Sequence, residues 1–396
     1  MKLADRMYRL KKESAFVMLA KATELERRGR DIIHLEIGDT DFATPAGIIE
    51  EAYSRMKQGQ THYCPSAGVQ ELREACCEWI RRAGRGVYRP EEIVIAPGGK
   101  TFLYYVIMAL AGPGDEVIYP DPGFPVYGSV TCYAGASPIP LPMLEKNDFR
   151  FTTDDLAERV TDRTRLIILN YPHNPTGGTL TRAELDAIAE IAVNKDIVVL
   201  SDEVYASMLF DGSHTSIGTL PGMQERTVLL ETFSKTYAMT GWRLGFVAAP
   251  SWLAEPLTRL ITNSVSCVAP FIQLAGANAL LGDQSESRAM MADFKKRRDI
   301  FINGLNEIPG ISCKLPEGAF YAFPNVGRLP IGADALSDYL LEKAGVATLP
   351  GSAFGIHADN HLRMCFATSV ENLNKAIDRI GKAVDQLTHS DKPTAT

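Results

Sequence analysis

The chain reads as an α/β protein: a mostly parallel, seven-stranded-type sheet sandwiched by helices, plus a smaller α+β domain formed by both chain ends. Three observations predict this. Between about residues 92 and 249, short apolar runs alternate with segments of helical texture. Strands that are apolar throughout, joined by helices, belong to a parallel sheet covered on both faces. After about residue 285 the texture changes to a long charged helix and two strand-like runs. The length of 396 residues, 45% hydrophobic and 22% charged, suits two domains with an ample core. The expected large domain spans 46–284. The expected small domain is 1–45 plus 285–396.

The elements follow in order. Residues 14–29 are charged and amphipathic, a helix ending at Gly29, and 32–35 is a short strand. Thr44 is placed to cap the next helix, with Pro45 at its first position. An irregular stretch over 59–68 precedes a helix over 69–83. Then come a strand at 92–96 and a helix at 101–111, a strand at 115–119 and a helix at 127–134. A strand at 165–169 leads to a helix at 182–194. Strands at 197–200, 228–230 and 245–249 complete the alternation. A helix over 287–308, strand-like runs at 318–323 and 361–366, and an amphipathic helix over 370–387 form the last part. The polar tail from Ser390 is expected to fray.

Composition narrows the function. The net charge is -7, with both signs mixed along the chain. No basic tract invites nucleic acid. No apolar stretch approaches the roughly 20 residues of a membrane helix, and the N-terminus does not read as a signal peptide. A cytoplasmic protein is the expectation. The seven cysteines are odd in number and irregularly spaced, with no Cys-x-x-Cys pair. They are expected to be reduced and mostly in the core, and no metal site is expected.

The chemistry-bearing residues cluster after strands. Gly98-Gly99-Lys100 follows the first strand and opens a helix. Glycines let the backbone approach an anion, and a helix N-terminus supplies free N–H groups. A structural strand-to-helix turn would use the same residues. Asn170-Tyr-Pro-His-Asn-Pro-Thr-Gly-Gly178 holds two X-Pro bonds. Such a turn is stiff and can aim the Asn174 amide at one point. Asp202 ends a very apolar strand, either as a helix cap or as the partner of a buried cation, with Tyr205 three residues on. Lys235 lies in Thr232-Phe-Ser-Lys-Thr-Tyr-Ala-Met-Thr-Gly-Trp-Arg243, directly after the run Val228-Leu229-Leu230. Burial favours a neutral amine, and a neutral lysine forms a Schiff base with an aldehyde. Thr232, Ser234 and Arg243 are suited to a phosphate.

Together these clusters resemble the class I and II aminotransferases, the fold-type I pyridoxal-phosphate enzymes. The matching motifs are Asn174-Pro-Thr-Gly177, Ser201-Asp-Glu-Val-Tyr205, Ser234-Lys235 and Met239-Thr-Gly-Trp-Arg243. The likeness runs from about Ile37 to Leu373. It implies pyridoxal 5′-phosphate as cofactor, with Lys235 as covalent anchor and proton shuttle. Asp202 would pair with the ring nitrogen, and Tyr205 and Asn174 with the ring's 3-oxygen. Gly99, Lys100, Thr232, Ser234 and Arg243 would surround the phosphate, and Phe124 would stack on the ring. Arg363 would bind the substrate α-carboxylate, helped by Asn174, with Gly38 and Phe16 on the substrate-facing N-terminal segment. Tyr63 would reach the neighbouring subunit's phosphate, implying a homodimer with shared active sites. The implied reaction is ping-pong transfer of an amino group from an L-α-amino acid to a 2-oxo acid, 2-oxoglutarate above all, as in aspartate aminotransferases.

Two departures bear on the substrate. Phe124 stands where aspartate aminotransferases usually carry tryptophan, and Phe16 stands where small hydroxyl residues are common. Both favour a larger or less polar side chain, whereas Lys100 favours an acidic one. Other reactions on this fold start from the same chemistry, among them β-elimination from a cysteine conjugate and cyclisation in a secondary pathway. A non-catalytic regulator that keeps the fold is the alternative from another class.

Overall fold

The computed structural model describes residues 2–11 and 13–390. The polar tail expected to fray lies outside them, except for Ser390, which closes the last helix. The chain begins with α1 (Ser14–Arg27), β1 (Ile33–His34), α2 (Ala46–Lys57) and α3 (Gln70–Arg82). The alternating region contains β2 (Ile93–Ala96), α4 (Gly99–Leu110), β3 (Glu116–Asp121), α5 (Val126–Ala134), β4 (Ser137–Pro142) and α6 (Thr153–Arg159). It continues with β5 (Thr164–Asn170), α7 (Arg182–Lys195), β6 (Val198–Asp202), β7 (Thr227–Thr232), the single turn α8 (Phe233–Thr236) and β8 (Gly245–Ala248). Then follow α9 (Ser251–Ser264), α10 (Pro270–Leu281) and α11 (Ser285–Asn306). The last part holds β9 (Tyr321–Ala322), α12 (Ala333–Tyr339), β10 (Val346–Ala347), β11 (Leu349–Pro350), β12 (Leu362–Cys365) and α13 (Val370–Ser390).

The central sheet has seven strands in the order β2-β8-β7-β6-β5-β3-β4. Every pair among β4, β3, β5, β6 and β7 is parallel. β8 runs antiparallel to both β7 and β2, so β2 points the same way as β7. The expected mostly parallel sheet is what forms. Alternate side chains serve opposite faces: Leu166, Ile168 and Leu200 pack with α4, α5 and α9, whereas Ile167, Leu169 and Val199 pack with α7. Both faces are therefore buried, and this is why these strands are apolar without alternation.

Separate from this sheet, β9, β11 and β12 form an antiparallel sheet of three. Phe294 and Phe301 of α11 pack with Phe320, Phe366 and Ile380 in one core. β1, from the start of the chain, pairs in parallel with β10, Ile33 opposite Val346.

Several expectations need correction. Thr44 does not cap α2: Pro45 occupies the cap position with no side-chain bond. The Thr44 hydroxyl donates instead to the Ala238 carbonyl and accepts from the Trp242 indole. β4 was not expected, because Ser137-Pro-Ile-Pro-Leu-Pro142 carries three prolines. At the sheet edge, missing N–H donors are tolerated. α6 was not expected either, although Thr152 and Asp155 form a capping box. α9 and α10 had no assignment. The run at 318–323 is regular strand only at Tyr321–Ala322. All seven cysteines are free, but only Cys76, Cys313 and Cys365 are fully buried; the other four are part-buried.

Candidate functional site

The carboxyl ends of β2, β3, β5, β6 and β7 open on one rim of the sheet, the usual place for a site in such folds. A cavity of about 550 Å³ lies there. It is lined by Phe16, Gly38, Gly99, Lys100, Phe124, Asn174, Asp202, Tyr205, Thr232, Ser234, Lys235, Arg243 and Arg363. The structure thus brings together every expected site residue except Tyr63, which is 89% exposed and lies outside the cavity.

Lys235 sits in the turn α8 at the end of β7, and its amine donates to the Gly38 carbonyl. Desolvation lowers its pKa to about 8, against the opposing pull of Asp39. A substantial fraction of the amine is therefore neutral near neutral pH and able to act as a nucleophile or base. Gly38 serves here through its small size: a Cβ at this position would collide with the Tyr321 hydroxyl.

Asp202 ends β6 and is fully buried. It is not a helix cap. Its Oδ2 accepts from the Tyr127 hydroxyl at 2.7 Å, and its Oδ1 has no partner. Burial raises its pKa to about 7, with the Tyr127 bond pulling the other way. A cation placed at Oδ1 would restore the carboxylate. Asn170 holds the same corner: its amide donates to the Asp202 carbonyl at 3.0 Å, and its Oδ1 accepts from the Asn174 backbone N–H at 2.9 Å. The Asn174 Oδ1 is buried without a partner. Its loop contains cis bonds at both Tyr171-Pro172 and Asn174-Pro175. The hydroxyls of Tyr205 and Tyr321 bond to each other at 2.7 Å. Burial keeps both protonated, Tyr321 pushed up to about 12 and Tyr205 well above its ordinary value.

An anion-binding corner is built where β2, β7 and β8 meet. Gly98 has φ +80°, and a Cβ there would strike the Arg243 guanidinium. It is glycine both for its backbone and for this contact. Gly99 begins α4 against the Thr232 methyl group. The exposed guanidinium of Arg243 donates to the Thr240 carbonyl at 2.9 Å, and the Thr232 hydroxyl is buried without a partner.

Arg363, on β12, is 4% exposed rather than lying on an open strand face. Its guanidinium donates to the Glu36 carbonyl and lies over the rings of Tyr321 and Phe354, 4.7 and 5.0 Å from their centres. Its Nε has no partner. Lys100 follows Gly99 in the first turn of α4 and lines the same cavity. Its amine pairs with Glu13 at 2.5 Å and lies 5.4 Å from the Phe124 ring centre and 5.8 Å from that of Phe16.

Sequence reasoning missed Tyr127, Asn170 and Tyr321 as site residues. Tyr127 had a readable signal, three residues after Phe124 and in the first turn of the helix that Phe124 leads into. The two rings meet edge to face at 5.8 Å. Asn170 ends the apolar run of β5, a readable signal too, whereas nothing in the local pattern marked Tyr321.

The sequence profile of the family described as aminotransferase class I and II matches residues 30–380. The chain is 39% identical to the aspartate aminotransferase of Pyrococcus horikoshii, over 97% of both chains. It is 38% identical to the aromatic-amino-acid aminotransferase 2 of Thermococcus litoralis, over 93% of this chain and 95% of the relative. Its fold superposes on the crystal structure of the aspartate aminotransferase from Rhizobium meliloti with a TM-score of 0.93, at 33% identity, covering 98% of this chain and 100% of that one. These likenesses do not favour the lyase, cyclase or regulator alternatives. The chain belongs to the class I and II aminotransferases and is a pyridoxal-phosphate-dependent transaminase.

Proposed function

We propose that this enzyme moves the amino group of an acidic or aromatic L-α-amino acid to 2-oxoglutarate by a ping-pong mechanism. One observation carries the site assignment. Asp202 Oδ1, Thr232 Oγ1 and Arg363 Nε are all buried without partners, on residues that share a cavity with the Lys235 amine. Unpaired buried polar atoms are costly. Pyridoxal 5′-phosphate and a bound amino acid supply matching groups for each. Asp202 would hold the protonated ring nitrogen, and Tyr205 and Asn174 the 3-oxygen. Phe124 would cover the ring face. Gly99, Thr232, Ser234 and Arg243 would hold the phosphate, with Lys100 beside them.

When bound, the cofactor supplies an electron sink that acidifies the substrate Cα–H. Lys235 Nζ would hold its aldehyde and, once released, would be the base that carries the proton taken from the substrate Cα. Arg363 orients the substrate by a forked bond to its α-carboxylate. Arg363→Ala should raise the Michaelis constants for amino and oxo acids about ten- to hundredfold, the worth of hydrogen bonds to a charged group, with a smaller change in kcat. Steady-state kinetics check this, and an unchanged Michaelis constant would refute the role.

The donor range is read from the side-chain end of the cavity. Lys100 suits a second carboxylate, and Phe16 and Phe124 suit an aromatic ring. Scanning amino-acid donors against 2-oxoglutarate and pyruvate, with each half-reaction followed spectrally, tests the reading. Release of pyruvate and ammonia without an acceptor would replace it with β-elimination.

The proposed assembly is a cytoplasmic homodimer in which Tyr63 completes the partner's phosphate site. Its support is the 89% exposure of a tyrosine outside its own cavity. A solution mass equal to one 43.4 kDa chain would sink this part. The division into domains at 46–284 and at 1–45 plus 285–396 draws support from the pairing of β1 with β10.

A further inference from the structure

Behind the cavity lies a buried ion cluster with no part in the reaction described above. Side chains alternate along a strand. Asp202 and Thr232 line the cavity, so the adjoining Glu203 and Glu231 point to the far side of the sheet. Arg85, from the loop after α3, joins the two. Its Nη2 lies 2.8 Å from Glu231 Oε2 and its Nη1 lies 3.3 Å from Glu203 Oε2, with no side chain of the three more than 5% exposed. Glu203 Oε1 also accepts the hydroxyls of Ser201 and Ser216, at 2.8 and 2.5 Å. His214 Nε2 lies 2.9 Å from Glu203 Oε2. Glu231 Oε1 accepts the backbone N–H of Thr232 at 3.0 Å.

Two carboxylates held on neighbouring strand ends repel each other, and their burial weakens the screening that solvent would give. Asp202 is next to Glu203 in the chain and one strand away from Glu231. The other groups facing it are the hydroxyl of Tyr127 from α5, the backbone N–H of Val204, which together with that hydroxyl favours the carboxylate, the amide of Asn170 from β5, which meets its carbonyl, and the ring of Tyr205. None of these carries a positive charge. Glu203 and Glu231 both raise the proton affinity of Asp202.

We propose that Arg85 is a positioning residue for the cofactor site: it cancels the field that Glu203 and Glu231 cast on Asp202, and its forked grip fixes the ends of β6 and β7. This rests on the reading that Asp202 holds the ring nitrogen as a carboxylate. Arg85 touches neither cofactor nor substrate and acts through its neighbours.

The test is the affinity of the apo-protein for pyridoxal 5′-phosphate, measured by equilibrium dialysis across the neutral pH range. Arg85→Gln leaves Glu231 without its cation and Glu203 with His214 as its one remaining basic neighbour. It should weaken binding at least about tenfold near pH 7 and move the acid limb of the affinity profile up by about one unit. Glu203→Gln removes one negative charge and should move that limb down. The double variant should return toward the wild-type profile. A purely structural role for Arg85 predicts a loss equal at every pH and not restored by the second change; that result overturns the proposal. Should Arg85→Gln fail to fold, Glu203→Gln decides alone, and a limb that stays or moves up refutes it. Asp202→Ala serves as the reference. If it binds cofactor like the wild type, the assignment of Asp202 fails. If it loses affinity while the Arg85 and Glu203 variants leave the limb in place, only the role of Arg85 fails.

Discussion

Replacing Lys235 by alanine should lower amino-group transfer by at least about 10³-fold, within the range for loss of a positioned proton-transfer group. The structure says why no neighbour can substitute. In the proposed mechanism the amine is the nucleophile at the mouth of β7, and the nearby Tyr205 and Tyr321 are held protonated by burial. The variant should fold, since the side chain ends in a cavity rather than in packed core. Single-turnover measurements of the half-reaction check the prediction; near-normal turnover would remove Lys235 from the mechanism. The wild-type protein should also show the ionisation directly. In the apo-protein, the rate at which Lys235 reacts with an added aldehyde should rise about tenfold per pH unit up to about 8, then level off, because only the neutral amine reacts.

Asp202→Asn is the second large effect. The amide can still accept from Tyr127, but it cannot carry charge. Loss of an electrostatic partner preorganised in a dry site costs about 10²- to 10³-fold in rate. Sign and window follow from burial. Without a cation beside it, Asp202 takes up a proton as pH falls through about 7. Cofactor binding by the wild type should therefore weaken below pH 7, where the carboxyl must give up that proton to pair with the ring nitrogen. In Asp202→Asn that dependence should vanish. Titrating cofactor affinity in both proteins decides it; a pH dependence that survives in the variant would point to another group.

Much of this was legible in the sequence because burial on both faces leaves little choice of residue. β5, β6 and β7 are enclosed between helices, and their runs of leucine, isoleucine and valine announce it. A charged or polar residue at the end of such a run is conspicuous, which is why Asp202 and Lys235 stood out, whereas Asn174 stood out through the prolines of its turn. The edge strand β4 was hidden by prolines that a central strand could not accept. Tyr321 was hidden for a different reason. Its partner Tyr205 is 116 residues away, and the two chain segments meet only in the fold, where Leu209 bridges to Gly318 and the Ala319 N–H donates to the Met208 carbonyl. Thr44 misled because a local capping rule lost to a distant partner, the Trp242 indole. Local pattern reports what a residue needs from water and from its immediate neighbours. It does not report which distant side chain will meet it.

The reversed direction of β8 has one more consequence. A connection between parallel strands must leave the rim, traverse the sheet and begin again at the opposite edge. The stretch from Thr232 to Gly245 never leaves. These two residues sit opposite each other in the ladder, and Gly245 also faces Ala96 on β2. Ser234, Lys235 and Arg243 therefore ride on a single short hoop clamped at both feet to the same rung. The proposed covalent anchor and the guanidinium proposed for the phosphate cannot drift apart as the enzyme breathes. Any insertion into the hoop would loosen both ends of the cofactor at once.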